Sequence, residues 1–217
     1  KRITPKILEG SHNYQISTKA KYAFHSFSNY YTRPMQAVVS LPDHRFINED
    51  QNMINKFDGE KKSDHPLEFF QITTVDDVTM EGWIVKPKDM DKNKKYPLFM
   101  FLYGGPGSQK VLNTYGGTNF FWYQMLAQKG YVVACVDNRG TGGRGAEFKK
   151  CTYQELGKLE TEDQISGVKY LSSLQYVDKS RIGIWGWSYG GYMSSLCLLK
   201  GHEYFSNLKK RKDFEKL

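Results

Sequence analysis

The sequence predicts an α/β fold in which helices cover both faces of a mostly parallel β-sheet. Three observations support this prediction. Apolar runs typical of buried strands recur after residue 97, segments with helical periodicity alternate with them, and 17 of the 20 glycines follow residue 100. The earlier part of the chain consists mainly of short β-prone runs. We therefore expect two domains, residues 1–65 and residues 66–217.

Residues 1–65 contain short runs of aromatic and β-branched residues, which favour strands. Glycine, serine, asparagine and proline mark the turns between these runs. One antiparallel sheet of three or four strands is therefore expected, followed by a short helix at 48–57 with Asn48 as its cap. The predicted strands are Tyr14–Ser17, Lys21–Phe27 and Met35–Leu41.

Residues 66–217 begin with two strands, Leu67–Thr73 and Val78–Val85, which are joined by a hairpin at residues 76 and 77. After this hairpin, three apolar runs predict strands that are buried on both faces. The second interval between them contains a capping box, Thr161 to Gln164, followed by apolar residues at helical spacing. A further helix is expected directly after the last strand. The three strands are Leu98–Tyr103, Tyr131–Val136 and Ile182–Trp185, and a helix in the first interval is Asn119–Lys129.

The composition is that of an ordinary globular protein, with 39% hydrophobic and 25% charged residues and a formal net charge of +8. The positive charge is scattered apart from residues 209–212, and no nucleic-acid-binding motif accompanies it, so we expect no nucleic-acid partner. The longest apolar run, Pro97–Tyr103, is too short to cross a bilayer. Three cysteines without C-x-x-C spacing predict neither a disulfide framework nor a zinc site, and no metal or organic cofactor is expected.

The motif with the clearest chemistry follows the last predicted strand, where Gly186-Trp187-Ser188-Tyr189-Gly190 matches G-x-S-x-G. A strand, a sharp turn and a helix around such a serine form a nucleophile elbow, which exposes the hydroxyl at the carboxyl end of the sheet. Glycines at the first and last positions fit this turn because Cβ atoms there would collide. Ser188 is therefore the candidate nucleophile, and the backbone N–H of Tyr189 is a candidate donor to an oxyanion.

Two other glycine clusters also follow predicted strands. Gly140 to Gly145 matches G-x-G-x-x-G, but residues 137–139 separate it from its strand, and about 20 residues later the sequence has a helix start instead of the required strand end. This context argues against a dinucleotide-binding site. The other cluster, Tyr103 to Gly107, lacks the lysine of a phosphate-binding loop. We expect it to lie beside Ser188, like the strand-end loops that complete hydrolase oxyanion holes.

Together these motifs resemble the prolyl oligopeptidase family of serine peptidases, most closely its dipeptidyl peptidase IV branch. The resemblance rests on residues 186–192, the Tyr-Gly-Gly-Pro loop at 103–106 and the Asp-Asn-Arg-Gly segment at 137–140, and it extends over about residues 1–205. It implies an α/β-hydrolase fold, incomplete and reaching from the N-terminal portion of the sheet through the elbow, preceded by antiparallel strands that close a β-propeller. It also implies that the Tyr103 hydroxyl and the Tyr189 N–H donate to the oxyanion.

The sequence departs from this family after the nucleophile. An α/β-hydrolase places its triad Asp and then its His after the serine, whereas the residues after Ser188 contain one His and one Asp in the reverse order, His202 and Asp213. Residues 206–217 resemble a polar, lysine-rich tail rather than a strand. Because the chain also has no initiator methionine, we expect a piece of a longer protein: a fragment, a truncation, or the ordered residues of a longer chain.

The resemblance implies hydrolysis of peptide bonds through an acyl-enzyme on Ser188, with release of N-terminal dipeptides after Pro or Ala. Two alternatives remain. One is another hydrolase of the family, such as an oligopeptidase, an acylaminoacyl peptidase or an esterase; the other is a catalytically silent hydrolase-like module that acts through binding. The expected partner is a peptide substrate. Relatives are often homodimeric and exported or membrane-anchored, so the resemblance alone favours a homodimer and a periplasmic, extracellular or membrane-anchored location.

Overall fold

The computed structural model describes residues 2–47, 65–116 and 118–205, and the helix expected at 48–57 lies outside them. The chain divides into two compact units, each with its own β-sheet. The first unit consists of Lys1–Asp64 and Leu112–Trp122. The second consists of His65–Val111 and Tyr123–Leu217.

The sheet of the first unit is antiparallel, with its strands in chain order: β1 (Ser11–Ile16), β2 (Tyr22–Ser28), β3 (Met35–Ser40) and β4 (Arg45–Phe46). The three predicted strands form, although β1 begins three residues earlier than expected. The fourth strand that the prediction allowed without placing it is the two-residue β4. Burial alternates along β2, so Ala23, His25 and Phe27 point to its inner face while their neighbours Tyr22 and Phe24 are exposed.

Three histidines and a tyrosine form a cluster in the first unit, which we call the histidine cluster (His12, Tyr14, His25 and His44). His12 Nε2 lies 2.8 Å from the Leu8 carbonyl oxygen, which can only accept, so this nitrogen carries a proton. His12 Nδ1 lies 2.9 Å from His25 Nε2, and the Tyr14 hydroxyl lies 2.9 Å from His44 Nδ1. Burial, followed by the His44 and His12 rings, lowers the pKa of His25 to about 4. The His25 ring is therefore neutral near pH 7.

The sheet of the second unit is mixed, with the order β5-β6-β8-β7-β9 for strands β5 (Leu67–Thr73), β6 (Thr79–Val85), β7 (Tyr96–Phe101), β8 (Val132–Asp137) and β9 (Val177–Trp185). The expectation of a mostly parallel sheet was therefore too strong. The pairs β7–β8 and β7–β9 are parallel, whereas β5–β6 and β6–β8 are antiparallel. The candidate nucleophile follows β9, at the carboxyl end of the parallel strands.

Four helices are present among the described residues: α1 (Thr118–Gln128), α2 (Gly145–Lys150), α3 (Leu159–Ser173) and α4 (Tyr189–Lys200). Helix α2 was not predicted. The prediction that a capping box begins this helix at Thr161 was wrong, because α3 begins at Leu159 and Lys158 occupies the cap position. The Thr161 hydroxyl instead lies inside the helix and donates to the Gly157 carbonyl at 2.6 Å.

Burial along the three central strands differs from the prediction that each is buried on both faces. All six residues of β8 are buried, as expected. Strand β7 alternates between buried and half-buried residues, and β9 is an edge strand of the described sheet. Trp185 at the end of β9 is accordingly 43% exposed.

The core of the second unit lies between the sheet and helices α3 and α4. Its largest fully buried side chains include Leu98, Met100 and Leu102 from β7 and the residue that follows it, Leu171 from α3 and Met193 from α4. Cys135 and Cys197 are buried, as the sequence predicted, and Cys151 is exposed. Within the described ranges, every helix is too short or too polar to cross a bilayer.

Candidate active site

Ser188 occupies a tight bend between β9 and α4. Its φ of 57° and ψ of −121° lie outside the regions that most residues adopt, so the surrounding structure must hold this backbone against strain. Both flanking glycines are required by close approach. A Cβ at Gly186 would lie 2.5 Å from the carbonyl oxygens of Gly190 and Leu102, and a Cβ at Gly190 would also lie 2.5 Å from the Leu102 oxygen. The bend has the features of the predicted nucleophile elbow.

The Ser188 side chain is exposed and makes no capping hydrogen bond to α4, although it occupies the cap position. The Ser188 carbonyl instead accepts hydrogen bonds from Gly191 N at 2.8 Å and Tyr192 N at 3.2 Å. Tyr189 is the first residue of α4, and the first N–H groups of a helix have no acceptor within it. The hydroxyl of Ser188 and the N–H of Tyr189 therefore both stand at the positive end of the helix dipole.

Tyr103 lies on the loop that follows β7, beside the elbow. The preceding residue anchors this loop to β9, because Leu102 N donates to the Trp185 carbonyl at 3.0 Å. The rings of Tyr103 and Tyr189 have centroids 6.2 Å apart, and a Cβ at Gly105 would lie 3.2 Å from the Tyr189 ring. The structure thus places the Tyr103 ring beside the ring of Tyr189, the residue that follows Ser188 in the chain.

The glycine loop at 103–107 is held by side chains at the end of β8. Asn138, which is fully buried, donates from Nδ2 to the Gly104 carbonyl at 3.1 Å. Gln164 of α3 in turn donates to Asn138 Oδ1 at 3.0 Å. Gly104 has a φ of +71°, and a Cβ there would lie 2.7 Å from that same oxygen. The loop can therefore pack against the Asp-Asn-Arg-Gly segment only with glycine at position 104.

Asp137 holds the part of the chain that follows the glycine loop. Its carboxylate accepts hydrogen bonds from Lys110 N at 2.9 Å and from Val111 N at 2.8 Å. Burial raises the pKa of Asp137 to about 6, although these two N–H donors act in the opposite direction. The Lys110 side chain returns to the site, with its Nζ 5.0 Å from the centroid of the Tyr103 ring.

A buried ion pair fixes the segment that follows β8. The Arg139 guanidinium donates to both carboxylate oxygens of Asp163, with distances of 2.6 and 3.0 Å to Oδ1, and the Arg139 N–H adds a bond of 2.7 Å to Oδ2. The Asp163 side chain has no exposed surface. The guanidinium also bonds Asp76 in the turn between β5 and β6, at 2.5 Å. This pair therefore connects α3, the end of β8 and a hairpin turn.

Sequence analysis missed the polar residues of α3 that take part in this arrangement. Glu160, Asp163 and Gln164 are fully buried, and all three bond residues of the site region. A signal was present, because these positions and Gly167 follow the spacing i, i+3, i+4, i+7 of one helix face. A helix face made of polar residues and glycine, adjoining apolar positions, indicates specific buried partners.

The described residues do not bring a base to Ser188. His202 follows the end of α4 at Lys200, and α4 begins directly after the serine, so the two residues are separated by a helix about 17 Å long. Asp213 lies outside the described residues. The site as described therefore contains the candidate nucleophile and the two candidate oxyanion donors.

Comparison with known proteins finds similar peptidases. Residues 118–208 match the model of the prolyl oligopeptidase family. Human dipeptidyl peptidase 8 is 40% identical over 141 residues, which are 64% of this chain and 16% of that protein. Prolyl endopeptidase FAP from Bos taurus is 43% identical over 141 residues, 64% of this chain and 18% of that protein. The chain therefore spans less than a fifth of the length of these two relatives.

A solved structure agrees with these sequence matches. The crystal structure of Porphyromonas gingivalis dipeptidyl peptidase 4 superposes with a TM-score of 0.78 at 40% sequence identity. The match covers 90% of this chain and 28% of that one, so it includes residues of both units.

Proposed function

Because this chain belongs to the prolyl oligopeptidase family, we propose that the whole protein is a serine peptidase in which Ser188 forms the acyl-enzyme. The observation that carries the proposal is the strained, exposed serine between two glycines that admit no Cβ. Strain of this kind costs about 1–3 kcal/mol and persists at functional sites because the arrangement serves the chemistry.

The proposed reaction begins when Ser188 Oγ attacks the carbonyl carbon of the scissile peptide bond and gives its proton to a general base. The carbonyl oxygen becomes an oxyanion, which accepts hydrogen bonds from the Tyr103 hydroxyl and the Tyr189 N–H. Collapse of this intermediate breaks the C–N bond and the amine leaves with a proton from the same base. Water then hydrolyses the ester on Ser188. Each oxyanion donor contributes about 3–4 kcal/mol to transition-state stabilisation.

The domains are proposed on the same basis. We infer that residues 1–65 are the closing strands of a β-propeller and that residues 66–217 are an α/β-hydrolase domain from the start of its sheet through the elbow. A four-stranded antiparallel sheet is the unit from which propeller blades are built, and β1 to β4 form such a sheet. For the second part, a strand, a tight bend and a helix around Ser188 meet the requirement of the hydrolase elbow.

The proposed substrates are peptides from which the enzyme releases N-terminal dipeptides after Pro or Ala. The names of dipeptidyl peptidase 8 and dipeptidyl peptidase 4 among the similar proteins support the release of dipeptides. A second candidate is cleavage within a peptide chain, which the similarity to a prolyl endopeptidase favours. A peptide with a free amino terminus and the same peptide with a blocked amino terminus distinguish the two activities.

The test is hydrolysis of a Gly-Pro chromogenic amide by the complete gene product and by its Ser188→Ala variant. We expect the substitution to lower kcat by about 10⁶-fold, as loss of a triad nucleophile does. Ser195→Ala is the matched control, since this serine lies on α4 and its hydroxyl bonds only the Gly191 carbonyl, at 2.9 Å. Equal activity in the Ser188→Ala variant would assign the chemistry to another residue. No hydrolysis by the unmodified protein would favour the catalytically silent module.

A further inference from the structure

Glu160 is a carboxylate that the proposed reaction does not use and that has no exposed surface. It is the second residue of α3, and Oε2 accepts the Gly157 N–H at 2.9 Å. Oε1 accepts a hydrogen bond from the Tyr189 hydroxyl, also at 2.9 Å. Burying a carboxylate is unfavourable unless its oxygens are bonded, so these two donors define where Glu160 must lie.

The residue on the other side of this bond is the one that follows the nucleophile. Burial and the Glu160 carboxylate raise the pKa of Tyr189 well above its ordinary value, so its hydroxyl remains a donor. A phenol bonded to a carboxylate makes a strong, directional contact. The Tyr189 ring is therefore fixed at its far end, while its backbone N–H directly follows Ser188 in the chain.

The fixed ring also lies beside the second oxyanion donor. Its centroid is 6.2 Å from that of the Tyr103 ring, and Gly105 lies between the two, with no space for a side chain. Movement of the Tyr189 side chain would therefore displace both the Tyr189 N–H and the packing surface of Tyr103. Hydrogen-bond donors stabilise an oxyanion only when they are aimed before the reaction begins.

We propose that Glu160 is a positioning residue that, through the Tyr189 hydroxyl, holds both oxyanion donors in place. This inference rests on the proposed function and adds a residue that touches neither the substrate nor Ser188. It predicts that the bond between Glu160 and Tyr189 affects the rate of the chemical step rather than substrate binding.

The test compares Tyr189→Phe with Tyr192→Phe in the complete gene product. The first change removes the hydroxyl bonded to Glu160 and keeps the ring and the backbone N–H. The second removes a hydroxyl from the same helical turn, which bonds the Leu156 carbonyl at 3.3 Å near the surface. We expect Tyr189→Phe to lower kcat by about 10- to 100-fold with KM within about twofold, since bonds to charged groups have this magnitude. Tyr192→Phe should keep the wild-type kcat.

Active-site titration with a fluorophosphonate separates positioning from folding, because kcat is then expressed per reactive Ser188. A purely structural role would lower the melting temperature and leave the titrated kcat unchanged, and this result would overturn the proposal. Glu160→Gln provides a second test, since Gln keeps the volume but offers one acceptor where the carboxylate offers two. In the Tyr189→Phe background it should lower kcat no further, whereas independent effects would contradict the proposed connection. If Ser188→Ala keeps full activity, the proposed function fails instead.

Discussion

The two units bury their polar groups in different ways. In the first unit, the rings of the histidine cluster bond one another, a tyrosine and a backbone carbonyl. Among the described residues of the second unit, three carboxylates are buried: Asp137, Glu160 and Asp163. Each accepts hydrogen bonds from backbone N–H groups, and the latter two also bond the Tyr189 phenol or the Arg139 guanidinium.

The buried polar groups of the first unit pack within a sheet, whereas those of the second unit position the candidate site. The rings of His12 and His25 stack within their sheet, with centroids 5.1 Å apart. The carboxylates instead bond the loop after β7, the segment after β8 and the first residue of α4, which directly follows Ser188. Among the described residues, buried charge is thus concentrated where loops are held in place. The second unit should therefore respond to different changes from those that affect the first unit.

Within this comparison, the largest expected effect on activity comes from a side chain added at the elbow, which should damage the second unit alone. Gly190→Ala places a Cβ 2.5 Å from the Leu102 carbonyl oxygen, so backbone must move. We expect a loss of at least about 100-fold in activity and of about 3 kcal/mol in the free energy of unfolding. Urea unfolding and amide hydrolysis measure the two effects.

The next residue provides a matched control for this change. A Cβ at Gly191 would lie 3.5 Å from the Gly186 carbonyl oxygen, an ordinary contact. Because Ala is a better helix former, Gly191→Ala should raise stability by up to about 1 kcal/mol. Equal effects of the two substitutions would contradict the close packing that defines the elbow.

A second prediction concerns the buried ion pair. Arg139→Met leaves the carboxylate of Asp163, which has no exposed surface, without its guanidinium, and we expect a loss of about 3–5 kcal/mol in the free energy of unfolding. Arg181→Met removes the same charge from an exposed pair with Asp178, for which a loss of about 0–1 kcal/mol is expected. Similar losses in the two variants, measured by urea unfolding, would show that burial does not decide the difference.

Local patterns predicted much of this architecture, whereas the buried polar residues of α3 were missed. The G-x-S-x-G motif predicted the elbow because its steric requirements lie within five residues. Glu160 and Asp163 could not be assigned, because their partners Tyr189 and Arg139 lie 29 and 24 residues away in the sequence. Sequence periodicity does not contain such long-range pairings. The capping box failed for a local reason, since the Thr161 hydroxyl bonds the Gly157 carbonyl inside a helix that begins earlier.

A third prediction is that acid affects the two units in opposite directions. Burial lowers the pKa of His25 to about 4 from an ordinary value of 6.5, so the unfolded chain takes up this proton first. The stability that this ring contributes is present above about pH 6.5 and is lost as the pH falls toward 4. In the second unit, burial raises the pKa of Asp137 to about 6 from 3.8, so protonation of this group between those values favours the folded state.

Histidine NMR titration of the whole protein tests the first half of this prediction. The His25 ring should remain neutral until about pH 4, and His25→Gln should reduce the dependence of the unfolding free energy on pH between about 4 and 6.5 by one proton. Titration of His25 near its ordinary value of 6.5 would contradict the burial of a neutral His25 ring.

The smallest predicted effect concerns Lys110, whose ammonium lies 5.0 Å from the centroid of the Tyr103 ring. Such contacts at exposed positions contribute about 0.5–1 kcal/mol, so Lys110→Met should lower kcat by about two- to fivefold. Lys149→Met is the control, because it removes the same charge from a side chain that lies beside Gly107. The Lys110 effect should disappear in a Tyr103→Phe background, and an undiminished effect there would show that the ammonium acts on another group.

Peptide mapping after reaction with a fluorophosphonate probe tests the central claim most directly. The strained backbone at position 188 exposes a serine oxygen at the positive end of α4, which should make this hydroxyl the nucleophile of the complete protein. We predict a single covalent adduct on the peptide that contains Ser188, and no adduct in the Ser188→Ala variant. An adduct on a different serine, with Ser188 unmodified, would contradict the account.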